Sequence, residues 1–162
     1  MWNQAGNIKM VSLVKHPAGS GTGLKGDYFS NAGFQGLPVM TRVDKYMDFD
    51  WGQGSPDPAL PPDNFAVRWS GKVQPYYTEP YTFYTIFDGG VRLWVNNQLI
   101  INTWFDWFTT MVSGTISLTG GVQYDIKMEY YERSGGAVAK LAWSSPKHGL
   151  EIIPFTQLYP TQ

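Results

Sequence analysis

The sequence predicts an all-β fold, an antiparallel two-layer β-sandwich with jelly-roll-like connections. Aromatic residues make up 16% of the 162 residues and charged residues 15%, with 18 Gly and 11 Pro, a composition typical of short strands joined by tight turns. Apolar and polar residues alternate in several segments, and no long helical period separates them. The length suits one domain with its own core.

The domain organisation is read from a stretch rich in Gly, Ser, Pro and Thr. Residues 15–23 read KHPAGSGTG, which is typical of a linker between structured units. We therefore divide the chain into residues 1–22, an N-terminal extension or linker, and residues 23–160, the β-sandwich domain. The segment NIKMVSLV before the linker is a docked strand, the end of a preceding domain, or sequence foreign to the domain.

Two segments show the period-2 alternation of strands with one buried face. Over residues 65–70, Phe, Val and Trp alternate with Ala, Arg and Ser, so the odd-numbered side chains are predicted to be buried. Over residues 124–130, the even-numbered side chains are apolar. We expect Asp125, Lys127 and Glu129 to lie on the solvent face of that strand.

Four short segments predict tight turns between strands. Asp88-Gly89-Gly90 lies between two strand-forming runs, and Asp-Gly in that setting is a common hairpin turn signal. Residues 95–98 (VNNQ) and 119–121 (TGG) are rich in Asn and Gly, which favour turns. Residues 133–136 are expected to form the tip of a further hairpin.

Several classes of function are disfavoured by composition. The net charge of -1, with no run of either sign, argues against a nucleic-acid partner. No apolar run reaches the length of a transmembrane segment. His16 and His148 are far apart in the sequence and there is no Cys, so a zinc site is not expected. Neither a catalytic carboxylate pair nor a nucleophile motif is found, and we predict that the chain is not an enzyme.

The sequence contains several long motifs, which are, in order, GLKGDYF, FDWGQGSPDPALPPDNFAVRWSG, YTFYTIFDGGVRLWVNNQLII, SGTISLTGGVQYDIKMEYYE, GGAVAKLAWSSP and IIPFTQLYP. Together they resemble the motifs of the protective-antigen-type β-domain, the PA-fourteen (PA14) domain. The resemblance runs from about Gly23 to Pro160. It implies a β-sandwich that serves as a binding module, often for carbohydrate, in bacterial toxins, adhesins and proteins that degrade or sense polysaccharides.

The resemblance also implies where a ligand would bind. In sugar-binding members, two consecutive aspartates hold a calcium ion that in turn holds sugar hydroxyls, helped by a second loop. The first aspartate falls on Asp88, whereas the second is replaced by Gly89, and the second loop falls on residues 132–136. Because calcium prefers six to eight oxygen ligands, several of them anionic, we expect calcium binding to be weak or absent, with Asp88 as the remaining metal ligand. Gly89→Asp is then expected to raise calcium affinity.

Residues 102–110 (NTWFDWFTT) form the most unusual segment and are read as a loop. Four large aromatic residues surround Asp106, and they cannot all point inward from a short loop, so some should be exposed. Trp104 is expected to pack, because the family commonly has Trp there. Three roles stay open for the others: a platform for a sugar ring, a contact with another protein or another copy of the domain, or a seal over one end of the sandwich.

An acidic segment, residues 48–57, invites a calcium-loop interpretation. It contains Asp48, Asp50 and Asp57 but lacks the Glu and the spacing of a helix-loop-helix calcium site. We expect these side chains to cap turns instead.

Together these observations predict a non-catalytic carbohydrate-binding module of a larger extracellular or cell-surface bacterial protein, acting beside neighbouring domains. The alternative is a structural, adhesion or protein-interaction domain that has lost the sugar site. The predicted ligand-binding residues are Asp88, Gly89, Trp104, Phe105, Asp106, Trp107, Phe108, Glu132, Arg133 and Ser134.

Overall fold

The structure is a computed structural model that describes residues 15–162, and antiparallel strands make up most of that range. The described strands are β1 (Leu24–Phe29), β2 (Met40–Asp44), β3 (Asp48–Gly52), β4 (Phe65–Val73), β5 (Glu79–Val95), β6 (Gln98–Leu118), β7 (Tyr124–Glu132), β8 (Ala137–Ser145), β9 (His148–Ile152) and β10 (Leu158–Pro160). A short 3-10 helix, Phe155–Gln157, precedes β10. The all-β prediction is confirmed, whereas the interpretations of NIKMVSLV fall on residues 7–14, outside the described range.

The strands form one sheet that curls into two layers. The first layer has the order β2-β1-β4-β7 and is completed by the C-terminal half of β5. The second layer contains β3, β8 and β9 with the N-terminal half of β5. Strand β6 pairs with β5 from end to end. The chain therefore passes repeatedly from one layer to the other, as in a jelly roll.

Strand β5 is continuous through the segment predicted as a hairpin turn, so that prediction is wrong. Residues 82–88 pair with β8 in one layer, and residues 90–95 pair with β7 in the other. Asp88-Gly89-Gly90 thus marks a bend between layers. The β5–β6 hairpin turns instead at Asn96 and Asn97, which both have positive φ and which the VNNQ motif predicted.

The remaining connections are partly as predicted. Val122 N donates to the Thr119 carbonyl at 3.2 Å, which confirms the turn at 119–121. Residues 133–136 do not close a hairpin, because β7 and β8 pair with different halves of β5 rather than with each other. They carry the chain across from one layer to the other.

The core lies between the two layers and is rich in aromatic side chains. Phe65, Val67 and Trp69 are fully buried, which confirms the predicted register of β4. On β7, Asp125 is exposed, but Glu129 is only 4% exposed, so its predicted place in solvent is wrong. Its carboxylate accepts hydrogen bonds from Arg68 Nη2 (2.8 Å) and Arg92 Nη2 (3.1 Å), because charge pairing offsets the cost of burial.

The acidic segment contributes to turns at two of its three aspartates. Asp50 Oδ1 accepts from Gly52 N at 3.1 Å, and Asp57 Oδ1 accepts from Ala59 N at 2.9 Å. Asp48 instead forms an ion pair with Lys140 at 3.0 Å, which corrects its predicted capping role.

The segment predicted as a linker is bound to the domain. Gly21 and Gly23 are buried, and the backbone amides of residues 21–23 donate to carbonyls of residues 156 and 158. A composition rich in Gly here reflects close packing, since a Cβ on Gly21 would collide with the Leu158 carbonyl. The folded unit therefore includes residues N-terminal to the predicted boundary at 23.

Candidate functional site

The bend in β5 requires glycine at two consecutive positions. Gly89 has φ +110°, and a Cβ there would collide with the carbonyl oxygen of Tyr131. A Cβ on Gly90 would collide with the Tyr131 ring. Since β7 crosses so closely at this point, no larger side chain is accommodated without a shift of backbone.

Strand β6 bulges outward where it follows this bend. Phe87 pairs with Thr110 and Val91 with Thr103, so β6 carries three extra residues over that stretch. The residues predicted to form a loop are thus part of a strand with bulges, which corrects that prediction. The bulges place Phe105, Trp107 and Phe108 in solvent, with exposures of 47%, 42% and 74%. We call these three side chains the aromatic ridge.

The bend, the bulge and the connection after β7 meet around one shallow cavity of about 80 Å³. This volume is well below the roughly 300–1,000 Å³ of pockets that enclose a drug-sized ligand, so only part of a ligand would enter it. We call it the bend site. Its lining residues are Asp88, Gly89, Asp106, Trp107, Glu132, Arg133 and Ser134.

Asp88 is held in place by partners on β6 and β7. Its Oδ2 accepts from the Thr109 amide (3.1 Å) and the Thr109 hydroxyl (2.9 Å). Its main-chain oxygen accepts from the Tyr130 hydroxyl at 2.7 Å. The carboxylate is therefore oriented before any ligand arrives, with its second oxygen left for other contacts.

Glu132 brings a buried carboxylate to the floor of the bend site. It is 1% exposed, and its Oε2 accepts from the Tyr130 hydroxyl at 3.3 Å. Burial, together with the negative charge of Asp88, raises the pKa of Glu132 to about 7. At neutral pH this side chain is therefore partly protonated, and it can donate as well as accept hydrogen bonds.

The rim of the site carries one loosely paired cation. Arg133 Nε lies 3.7 Å from Asp106 Oδ1, and both side chains are more than half exposed, so the pair contributes little to stability. The Arg133 guanidinium also lies 5.2 Å from the centroid of the Tyr131 ring. Either side chain can therefore leave this ion pair and bind a charged or polar group of a ligand instead.

Trp104 lies apart from the ridge and packs, as expected. Its ring is 4.7 Å from that of Tyr131 and stacks on Phe34 at 6.0 Å, measured between centroids. The Arg92 guanidinium lies 3.8 Å from the centre of the Trp104 ring. These contacts anchor β6 on one side of the bulge.

Three residues that hold the site together are not among the ligand-binding residues predicted from the sequence. Tyr130 connects Asp88 and Glu132, Thr109 orients Asp88, and Asp63 Oδ1 accepts from Gly135 N at 3.2 Å. Tyr130 reads only as a core position in the alternating pattern of β7. Nothing in the sequence signals the other two, because the bulges in β6 bring Thr109 to Asp88 and the pairing of β4 with β7 brings Asp63 to Gly135.

The acidic side chains of the site do not form a cluster with metal-binding geometry. Over residues 15–162, no group of three or more His, Asp or Glu side chains could hold a metal ion together. The structure also changes the expectation for Gly89→Asp. The added side chain would collide with β7, and the positive φ of residue 89 is unfavourable for any residue other than glycine. We therefore expect a loss of stability in place of the predicted gain in calcium affinity.

Comparison with known proteins places this architecture in a family. The chain matches the PA14 domain family over residues 20–157. It is 50% identical over 143 residues to the anti-sigma-I factor RsgI3 of Acetivibrio thermocellus, a match that spans 88% of this chain and 22% of that protein. No helix within the described range is long and apolar enough to cross a membrane.

Solved structures agree with this assignment. An anti-sigma factor domain-containing protein superposes with a TM-score of 0.85 at 49% identity, covering 87% of this chain and 49% of that one. The PA14 sugar-binding domain from an RTX adhesin shares the fold, with a TM-score of 0.68 at 18% identity and coverage of 85% and 97%. The chain thus spans about a fifth of the curated relative and about half of the solved one.

These relatives overturn the main functional prediction. A carbohydrate-binding module was expected, but the proteins that match at about half identity are anti-sigma factors. The alternative, an interaction domain, agrees better with that finding. The match over residues 20–157 and the two-layer architecture lead to one conclusion: this chain belongs to the PA14 domain family.

Proposed function

We propose that this chain is the sensing domain of an anti-sigma-factor-type regulator and acts outside the cell. The observation that carries this proposal is the identity of about half of all aligned residues with anti-sigma factors, over nearly the whole chain. The domain accounts for only part of each relative, which supports a role as one module of a longer signalling protein.

The aromatic ridge and the bend site form the surface that meets the signal. Exposed aromatic rings are costly to leave in water and usually mark a contact surface. Here they lie beside an oriented carboxylate (Asp88), a partly protonated carboxylate (Glu132) and a cation in a loose ion pair (Arg133). Such a surface offers apolar stacking together with several hydrogen-bonding groups.

Two classes of signal fit this chemistry. A polysaccharide presents apolar C–H faces to the rings and hydroxyls to the carboxylates, and one protein of the same fold is a sugar-binding domain. A protein partner would instead bury the ridge in the core of an interface, where aromatic residues are enriched. Calcium binding remains predicted to be weak or absent, to be checked by calorimetry with and without chelator.

A chimera tests the sensing role directly. The matched segment of RsgI3 is replaced by this chain, and a reporter that depends on the cognate sigma factor is measured with a panel of polysaccharides and cell-wall extracts. We expect at least one of these ligands to change the reporter output. The double substitution Trp107→Ala and Phe108→Ala should abolish that change and leave the melting temperature of the isolated domain unchanged. A chimera whose reporter output ignores both the ligands and these substitutions would rule the proposal out.

A further inference from the structure

Residues 19–23 and 156–159 are hydrogen-bonded side by side, although residues 15–23 have the composition of a linker. Gly21 N donates to the Thr156 carbonyl at 2.9 Å. Thr22 N and Gly23 N both donate to the Leu158 carbonyl, at 2.9 and 3.1 Å. Residue numbers rise together in the two segments, so the segments run parallel. We call this pair of segments the terminal clamp.

Side chains reinforce the terminal clamp from the C-terminal segment. Gln157 is fully buried, and its Oε1 accepts from Gly19 N at 2.6 Å. The Tyr159 hydroxyl accepts from Ser20 N at 3.0 Å and donates to Gln74 Oε1 at 2.9 Å. The clamp is therefore fastened to the loop after β4 as well as within itself.

The parallel arrangement decides how the clamp responds to a load. Tension on the chain draws residue 15 back along its own segment and residue 160 forward along the other. Because the segments are parallel, these pulls are opposed and act along the strands, perpendicular to the hydrogen bonds. The bonds are then loaded together, in shear, whereas an antiparallel pair pulled from adjacent ends would open one bond at a time.

The terminal clamp lies at the far end of the first layer from the bend site. On β4, Phe65 pairs with Glu132 of the bend site, and Val73 pairs with Leu158 of the clamp. The eight intervening steps of strand correspond to about 26 Å. Neither the aromatic ridge nor the cavity contributes to the clamp, so loading it leaves the proposed contact surface in place.

We propose that the terminal clamp makes this domain a load-bearing unit, which resists tension between the segments attached before residue 15 and after residue 160. The domain transmits that tension without unfolding, and the clamp is the first part to rupture when the load is exceeded. This property is independent of the ligand and of the proposed sensing role.

Single-molecule force spectroscopy on the full chain, held between handles at its two ends, tests the proposal. Tyr159→Phe removes the hydroxyl that joins Ser20 and Gln74, and we expect unfolding at a fixed load to become about fivefold faster. Tyr84→Phe is the matched control, since the Tyr84 hydroxyl makes a comparable bond to Ser144 at 3.1 Å away from the clamp. It should leave the rate within about twofold of the parent.

When the domain is pulled in a second direction, we expect the effects of the two substitutions on the unfolding rate to be reversed. The chain has no Cys, so handles can be attached at Ser134→Cys and Lys147→Cys, two exposed positions that flank β8. That geometry loads β8 and bypasses both terminal segments. Tyr159→Phe should then have no effect, while Tyr84→Phe accelerates unfolding. Equal effects of the two substitutions in both directions would overturn the proposal.

Discussion

Gly89 and Gly135 both have positive φ, but only one of them is also sterically confined. A Cβ on Gly89 would collide with the Tyr131 carbonyl, whereas nothing lies within 4 Å of a Cβ on Gly135. We expect Gly135→Ala to cost about 1 kcal/mol from backbone strain alone and Gly89→Ala to cost about 3 kcal/mol or more. Urea unfolding measures both, and equal losses would mean that β7 moves aside without cost.

The carboxylate of Glu132 makes stability depend on pH. Its pKa rises from 4.5 in the unfolded chain to about 7 in the folded one, so the folded state binds the proton more tightly. The stabilisation from this proton is complete below pH 4.5 and is lost as the pH rises to 7 and above. The negative charges of Asp88 and Asp63 also raise this pKa, so they add to the dependence of stability on pH.

Glu132→Gln should remove that dependence. The variant is expected to match the parent near pH 4 and to become more stable by about 3 kcal/mol above pH 7, where the parent holds an ionised buried carboxylate. Urea unfolding between pH 4 and pH 8, in the presence of chelator, measures the difference. A difference that does not vary with pH would show that Glu132 titrates normally in the folded state.

Among the elements, the bent hairpin of β5 and β6 determines where the site lies. Its alternating pattern and its turn at Asn96-Asn97 follow from the sequence, because both depend on local preferences. The bend at Asp88-Gly89-Gly90 does not, since the same residues also suit a turn. What decides between them is the pairing of each half of β5 with a different strand, β8 or β7.

Strand β7 offers a direct comparison of two acidic residues that the alternating pattern treats alike. Glu129 is buried between Arg68 and Arg92, whereas Asp125 pairs with Lys72 in solvent. We expect Glu129→Ala to cost about 2–3 kcal/mol, because two arginines lose their partner, and Asp125→Ala to cost under about 0.5 kcal/mol. Thermal and urea unfolding compare them, and similar small losses would show that both arginines are satisfied by water.

At the scale of the whole molecule, the class of fold could be predicted but the assembly of the site only in part. Asp88, Glu132, Arg133 and Ser134 do meet, as the resemblance implied. Their supports, Thr109 and Tyr130, come from a bulge and a core position that carry no local signal. The bonding of residues 19–23 to the C-terminal segment was likewise hidden, because Gly and Ser suit a flexible linker and a tightly packed segment equally well.

A pair of truncations tests that packed segment as part of the fold. A chain that begins at residue 23 loses the Gly19 amide, which donates to the buried Gln157 side chain, and one of the two amides that donate to the buried Leu158 carbonyl. Relative to a chain that begins at residue 15, we expect it to be less stable by about 2 kcal/mol, since unsatisfied buried acceptors are costly. Removal of the exposed Gln162 alone is the control and should change little. Equal urea midpoints for the two starts would mean that residues 15–22 only rest on the domain.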